Sequence, residues 1–333
     1  MKLRNRSLFT LIFLLLFACQ IPGNLETPSV TSTPSATSTP TFIPTLTLTP
    51  TLTITPTPAP LARRVLILSI DGLRPDAIPL APMPNLMDLM DSGAYTLSAQ
   101  TIYPSATLPA HTSMLSGLCP QKHGVDWNDY IPENGYAQVT DIFDIAHAAG
   151  MQTVMYVGKE KLRQITEPAS TDIFEYINDR DLVITEKLIE NFPADFDLMF
   201  IHFPTADGMG HVYGWLSGEQ LSVLYRADQA IGNLLAELDA RGLREETLII
   251  VTSDHGGHNT THGSSLPEDM TIPWIAAGAG IQPVQLITQV QTVDTAATAA
   301  FVLGLPLPAE WDGIPVYEAF GLPIGNPSQT CPK

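Results

Sequence analysis

Residues 252–265 read TSDHGGHNTTHGSS. Three of the chain's eight histidines, His255, His258 and His262, fall within eight positions there, beside Asp254 and directly after the apolar run TLIIV. Imidazole and carboxylate together suit a divalent ion of borderline softness such as zinc. Adjacent side chains of an extended segment diverge, so Asp254 and His255 can share an ion only where the chain turns, and Gly256 and Gly257 permit that turn. A second pair, Asp207 and His211, stands four apart in PTADGMGHVYG, the spacing that brings two side chains to one face of a helical turn. Asp71, in SIDGLRPD, closes another apolar run and precedes a glycine. Each feature also has a plainer explanation: a helix-capping or turn aspartate, or a glycine-rich loop. His258 reads as a loop or supporting histidine, His111 as a supporting or helix-packing residue rather than a ligand, and His123, His147 and His202 as structural.

Taken together, Asp71, Asp207, His211, Asp254, His255 and His262 are enough to hold two ions around one substrate. Such a centre serves phosphoryl transfer, one ion activating a nucleophile and the other taking charge from the reacting oxygens. The segment YPSATLPAHTSMLSG supplies a hydroxyl. Thr107 stands at the start of an expected helix, whose first N–H groups and dipole face an anion, and a nearby cation can activate its weak hydroxyl. The alternatives are that Thr107 is only a cap, or that Ser105 is the nucleophile.

These residues need elements to bring them together. Apolar runs at 65–70, 152–157, 197–203, 247–253 and 271–277 read as strands, and stretches of helical period near 106–116, 140–149, 180–191 and 219–241 as helices. Strands that are apolar throughout and alternate with helices imply a sheet covered on both faces, hence a three-layer α/β/α sandwich with a central, mostly parallel sheet. Ligands of such folds collect beyond the carboxyl ends of the strands, and Asp71, Asp207 and Asp254 all follow expected strands.

Upstream of this domain, assigned to residues 63–333, two segments read differently. Residues 1–18 combine Lys2, Arg4 and Arg6 with the apolar run Leu8–Phe17, as in a signal peptide. LFAC, ending at Cys19, has the form of a bacterial lipobox, in which Cys19 carries a lipid anchor; the alternative is ordinary secretion. Residues 19–62 are dominated by Thr and Pro and read as an extended stalk that cannot bury a core. Both segments place the protein outside the cytoplasm, at the cell surface or secreted. The formal charge is −18, or about −21 without the three basic residues of the leader, which argues against binding a nucleic-acid polymer. Cys119 and Cys331 lie too far apart in sequence for pairing to be read from spacing.

The ordered set SIDGLRPD, YPSATLPAHTSMLSG, HGVDWN, DGMGHVYG, SDHGG and THG resembles the alkaline phosphatase superfamily, specifically its type I phosphodiesterase/nucleotide pyrophosphatase branch, over roughly residues 64–320. The resemblance implies one zinc ion on Asp207, His211 and His262 and a second on Asp71, Asp254 and His255. Thr107 would bridge toward the second ion and form a covalent phospho-enzyme, later hydrolysed by water. Asn128 would donate a hydrogen bond to a phosphate oxygen, where WNDY alone suggests only a turn asparagine. The substrate expected is a small phosphate ester, in first place a diester or nucleotide pyrophosphate.

Phosphomonoesterase activity is the alternative. Phosphate-irrepressible alkaline phosphatases use a Lys-x-Arg pair to hold the extra charge of a monoester, and this chain has Lys159 and Lys161 in VGKEKLRQI. The match is partial, since lysine lacks the bidentate grip of arginine, and an exposed basic turn explains the pair equally well. A sulfatase would require an arginine that PSATLPAH lacks. A surface binding module without catalytic activity is the reading from another class, and the complete ligand set weighs against it.

Overall fold

The computed structural model describes residues 60–332. The expected signal peptide, Cys19 and the Thr/Pro-rich stalk up to Ala59 lie outside the described residues. Eight strands form one sheet: β1 (Arg64–Ile70), β2 (Ala94–Gln100), β3 (Thr153–Val157), β4 (Ile173–Tyr176), β5 (Leu198–Phe203), β6 (Thr247–Thr252), β7 (Thr271–Gly278) and β8 (Val284–Gln285), in the order β4-β3-β5-β1-β6-β7-β2-β8. Every pairing is parallel except the two made by β7. The apolar run at 271–277 is thus a strand, but one that runs against its neighbours. A parallel neighbour needs a long crossover connection, usually a helix. The connection from β6 is occupied instead by the histidine-rich loop and a four-residue helix, Pro267–Met270.

Strand β1 shows why such runs are apolar throughout. Val65 and Ile67 face one helical layer while Leu66, Leu68 and Ile70 face the other, and all five are buried. Full burial of one such side chain contributes about 1.5–3 kcal/mol. The first layer contains α2 (Thr107–Ser116), α4 (Ile142–Ala148) and α9 (Asp294–Val302), with the short α3 (Pro120–His123) after α2. The second contains α1 (Pro84–Ser92), α5 (Asp181–Glu190) and α7 (Gly218–Ala240). Helix α6 (Thr205–Tyr213) leaves β5, and α8 (Pro267–Met270) precedes β7. The three-layer sandwich and its mostly parallel sheet are as the strand and helix pattern implies.

Register aligns the strand ends that matter. Ile70 of β1 is level with Phe203 of β5, Ser69 with Thr252 of β6, and Val157 of β3 with His202 of β5. The residues just beyond these four strands therefore emerge along one edge. At the far side of α2, Cys119 and Cys331 form a disulfide with Cα atoms 5.4 Å apart, the pairing that sequence spacing left open.

Helix α4 carries a pH-dependent stability element. Asp141 caps it by accepting from the Phe143 and Asp144 N–H groups, while Asp144 accepts from the Asp141 N–H. Burial, reinforced by the Asp144 charge, pushes the Asp141 carboxyl up to about 8. Its folded-state pKa then exceeds the unfolded value of about 3.9. Between those values the folded state holds a proton that unfolding releases, so stability declines as pH rises, by up to about 1.4 kcal/mol per pH unit. Urea unfolding at pH 5 and pH 8 should show this decline in the parent and a smaller one in Asp141→Asn, which keeps the cap but cannot titrate. Equal declines in both would refute the assignment.

Candidate active site

Asp71 leaves β1, and Gly72 turns the chain after it with φ +77°. A Cβ at Gly72 would also approach the Asp207 Cα to 3.1 Å, so a side chain there would strain the turn and press on the Asp207 segment. The Gly72 N–H donates to Asp254 Oδ1 (3.1 Å) and its carbonyl accepts from Trp215 Nε1 (2.9 Å), tying the ends of β1 and β6 to the chain that follows α6. Asp207 and His211 are one turn apart on α6, with His211 Nε2 3.3 Å from Asp207 Oδ1. His262 returns from the loop after β6 and brings its Nε2 to 3.5 Å from the same oxygen. His255 Nε2 lies 3.2 Å from Asp254 Oδ2 and 3.5 Å from Asp71 Oδ1. The six expected ligands thus converge from β1, α6 and the β6 loop.

Two groups stand out by distance. Ligand atoms of Asp207, His211 and His262 lie within 4.8 Å of one another, as do those of Asp71, Asp207 and His255. Asp207 belongs to both. Asp254 is outside the second group by this measure, although its Oδ2 faces His255. The rings of His255 and His262 stack at 3.7 Å, so the two groups adjoin.

The donor set fits cations. Each of the three histidines turns Nδ1 to a main-chain carbonyl: His211 to Thr260 (3.0 Å), His255 to Gly256 (2.8 Å) and His262 to Ser105 (2.8 Å). Nδ1 must donate there, which leaves the Nε2 lone pair aimed at the carboxylates, an arrangement that orients metal-binding imidazoles. Burial holds His255 and His262 below the usual histidine range, His262 at about 4, so both are neutral at physiological pH. His211 is raised by its contact with Asp207. Among the described residues, the buried polar atoms without a hydrogen-bond partner include Asp71 Oδ1, Asp207 Oδ1, Asp254 Oδ2 and His255 Nε2. Unpaired buried acceptors are costly, and four in one place are explained if cations bind there.

Thr107 heads α2, a helix buried along its whole length. Ala106 caps it without a side-chain hydrogen bond, Pro109 has no N–H and the Ala110 N–H bonds the Ala106 carbonyl, so the positive end of the helix dipole and the Thr107 N–H remain for an anion at this end. Asn128 Oδ1 accepts from the Leu108 N–H (2.9 Å) and from Lys161 Nζ (3.1 Å), which fixes the amide and reserves Nδ2 as a donor. Lys159, two residues beyond β3, reaches Asp207 Oδ2 (2.6 Å), Asp71 Oδ2 (2.7 Å) and Thr107 Oγ1 (3.3 Å). Burial alone would lower its pKa, but the carboxylates of Asp71, Asp207 and Asp254 outweigh burial and raise it. The same ammonium, with His202, holds Asp71 ionised against burial, whereas burial and the Asp71 charge raise Asp254. The rival hydroxyl, Ser105 Oγ, is fully buried and donates to the Ser264 carbonyl (2.9 Å).

Sequence reasoning read His202 as structural and His111 as a supporting or helix-packing residue; the structure brings both against the site. His202 Nδ1 accepts from the Gly158 N–H (3.2 Å), so Nε2 carries the proton and donates to Asp71 Oδ2 (2.8 Å). His111 bridges the Thr107 carbonyl and Ser69 Oγ, both at 2.8 Å. His202 lies within an apolar strand run, DLMFIHF, and that misplaced polarity was the available signal.

The model of the type I phosphodiesterase/nucleotide pyrophosphatase family matches residues 65–272. Curated relatives include the catalytic subunit of human GPI ethanolamine phosphate transferase 2, 29% identical over 76% of this chain and 27% of its own length. Another is the bis(5'-adenosyl)-triphosphatase of Xenopus laevis, 28% identical over 58% of this chain and 47% of its own. The chain therefore spans less than half the length of these relatives. Among solved structures, murine ectonucleotide pyrophosphatase/phosphodiesterase 5 in complex with AMP superposes with a TM-score of 0.66 at 17% identity, covering 78% of this chain and 99% of that one. A 2-O glycosaminoglycan sulfatase gives 0.64 at 15%, covering 79% and 75%. These two likenesses concern the fold alone. With the family match extending from β1 through the histidine-rich loop, the chain belongs to the type I phosphodiesterase/nucleotide pyrophosphatase family.

Proposed function

We propose that the protein is an exported, metal-dependent phosphoric ester hydrolase that works through a phospho-threonine on Thr107, acting on a phosphodiester or nucleotide pyrophosphate. One observation carries this reading: Thr107 Oγ1 heads a buried helix beside two clusters of ligand atoms that share Asp207. Asp207, His211 and His262 would hold one divalent ion and Asp71, Asp254 and His255 the other, with zinc favoured by the Asp/His donors. Bound there, the ions would lower the pKa of a coordinated hydroxyl and neutralise phosphate charge. The chain's own groups do the rest: the α2 N-terminus and Asn128 Nδ2 receive phosphate oxygens, and His111 and His202 fix Thr107 and Asp71. Zinc content after purification and hydrolysis of bis(nitrophenyl) phosphate test this reading, and absence of both would sink it.

A second reading, phosphomonoesterase, draws on Lys159 and Lys161, whose ammonium groups stand at Thr107 and Asn128, where the extra charge of a monoester would fall. The diesterase reading expects the higher kcat/KM on bis(nitrophenyl) phosphate and a Lys159→Ala loss of similar size on diester and monoester. The monoesterase reading expects the reverse order, with Lys159→Ala costing the monoester about 10–100-fold more, the worth of a charged hydrogen bond.

Export and a lipid anchor at Cys19 rest on the leader and stalk sequences, with the Cys119–Cys331 disulfide supporting an oxidising compartment. Among the described residues no helix is long and apolar enough to cross a membrane. Palmitate labelling retained in Cys19→Ser would overturn the anchor.

A further inference from the structure

His258, which the sequence suggests is a loop or supporting histidine, belongs to neither ligand group, and its partner is Asp269 of α8. Asp269 is fully buried and uses both carboxylate oxygens on one loop. Oδ1 accepts from His258 Nδ1 (2.7 Å) and Oδ2 from the Ser264 N–H (2.8 Å). Between those two residues the chain makes a tight turn, with His258 and Thr261 exchanging backbone hydrogen bonds of 2.9 Å and Asn259 in the left-handed region at φ +48°. His262 lies just after that turn and just before Ser264. The Asp269 carbonyl also accepts from the Gly256 N–H (2.9 Å), next to His255. One buried carboxylate therefore ties the incoming and outgoing arms of the loop that carries His262.

We propose that the Asp269–His258 pair is a positioning clamp for His262, setting how tightly the Asp207–His211–His262 group holds its ion. The inference deepens the proposed function and rests on its metal reading. Without the His258 donor, Asp269 Oδ1 becomes a buried, unpaired acceptor, and the loop gains freedom at the arm that places His262. His262 keeps its contact to the Ser105 carbonyl, so the ligand loosens without leaving. Groups supporting a metal ligand are typically worth 10–100-fold in metal affinity.

The test uses the full chain with zinc alone as probe. His258→Phe removes the donor at similar size, whereas His258→Gln can still donate to Asp269. Competitive titration should show one zinc equivalent weakened about 10–100-fold in His258→Phe, the other unchanged, and both near parental in His258→Gln. Hydrogen exchange of the Ser264 amide in chelator-treated protein supplies a metal-independent readout: it should accelerate at least tenfold in His258→Phe and stay slow in His258→Gln. Parental zinc affinity together with parental exchange in His258→Phe overturns the clamp, as does equal weakening in both variants. Should the parent bind no zinc while Ser264 exchange still responds to His258→Phe, the clamp stands and the metal reading fails.

Discussion

Replacing Thr107 with alanine is expected to lower kcat/KM by at least about 10³-fold on any phosphoester the protein hydrolyses, with zinc content unchanged. A nucleophile contributes only in the reaction itself, so its loss falls on kcat rather than on binding. The fold argues for Thr107 and against Ser105. Thr107 Oγ1 lies 3.3 Å from Lys159 Nζ, on the edge where Asp71 and Asp207 converge, while Ser105 Oγ is committed to the Ser264 carbonyl. Ser105→Ala should accordingly cost less than about tenfold, an effect passed through the loop of His262, whose Nδ1 rests on the Ser105 carbonyl. Steady-state kinetics of the two variants decide the matter, and the opposite ranking would remove Thr107 from its role. Trapping at low pH should show Thr107 esterified to phosphorus in the parent, with the substrate's second ester group still attached when the substrate is a diester, and no such adduct in Thr107→Ala.

Residues within a motif were legible, and residues that act across motifs were not. The strand runs of β1, β3, β5 and β6 could be read because burial on both faces strips them of polar residues. The shorter or half-exposed β2, β4 and β8 escaped: β2 mixes Thr, Ser and Gln into its seven residues, and β8 has only two. Helix α9 was missed for the opposite reason, since eight of its nine residues are buried and no apolar stripe stands out. Helix α6 carries two glycines, of which Gly210 is needed because a Cβ there would come within 2.9 Å of Trp215 and Gln220. In the site, the i, i+4 spacing of Asp207 and His211 is local and therefore visible. The contacts of His202 with Asp71, of Lys159 with Asp207, and of Asp269 with His258 are made by the fold, through segments up to 131 positions apart, and no pattern in one segment encodes them.

Removing divalent metal is the second large effect expected. Asp71, Asp207 and Asp254 bring three carboxylates to one buried edge, where the nearby Lys159 is a single positive charge. Burial and the Asp71 charge raise the Asp254 carboxyl above the usual carboxylate range. A cation that binds the folded chain but not the unfolded one stabilises it by about 4 kcal/mol at a thousandfold excess over Kd. For a domain of this size that corresponds to a fall in Tm on the order of 10 °C when the metal is stripped. Differential scanning with and without a chelator should show this fall, and added zinc should restore both Tm and hydrolysis. Asp207 belongs to both ligand groups, so Asp207→Asn should weaken both and leave little of the chelator effect. A parent Tm indifferent to chelator would mean that the four unpaired buried atoms at this edge are reconciled by something other than metal, and the two-ion reading would fall with it.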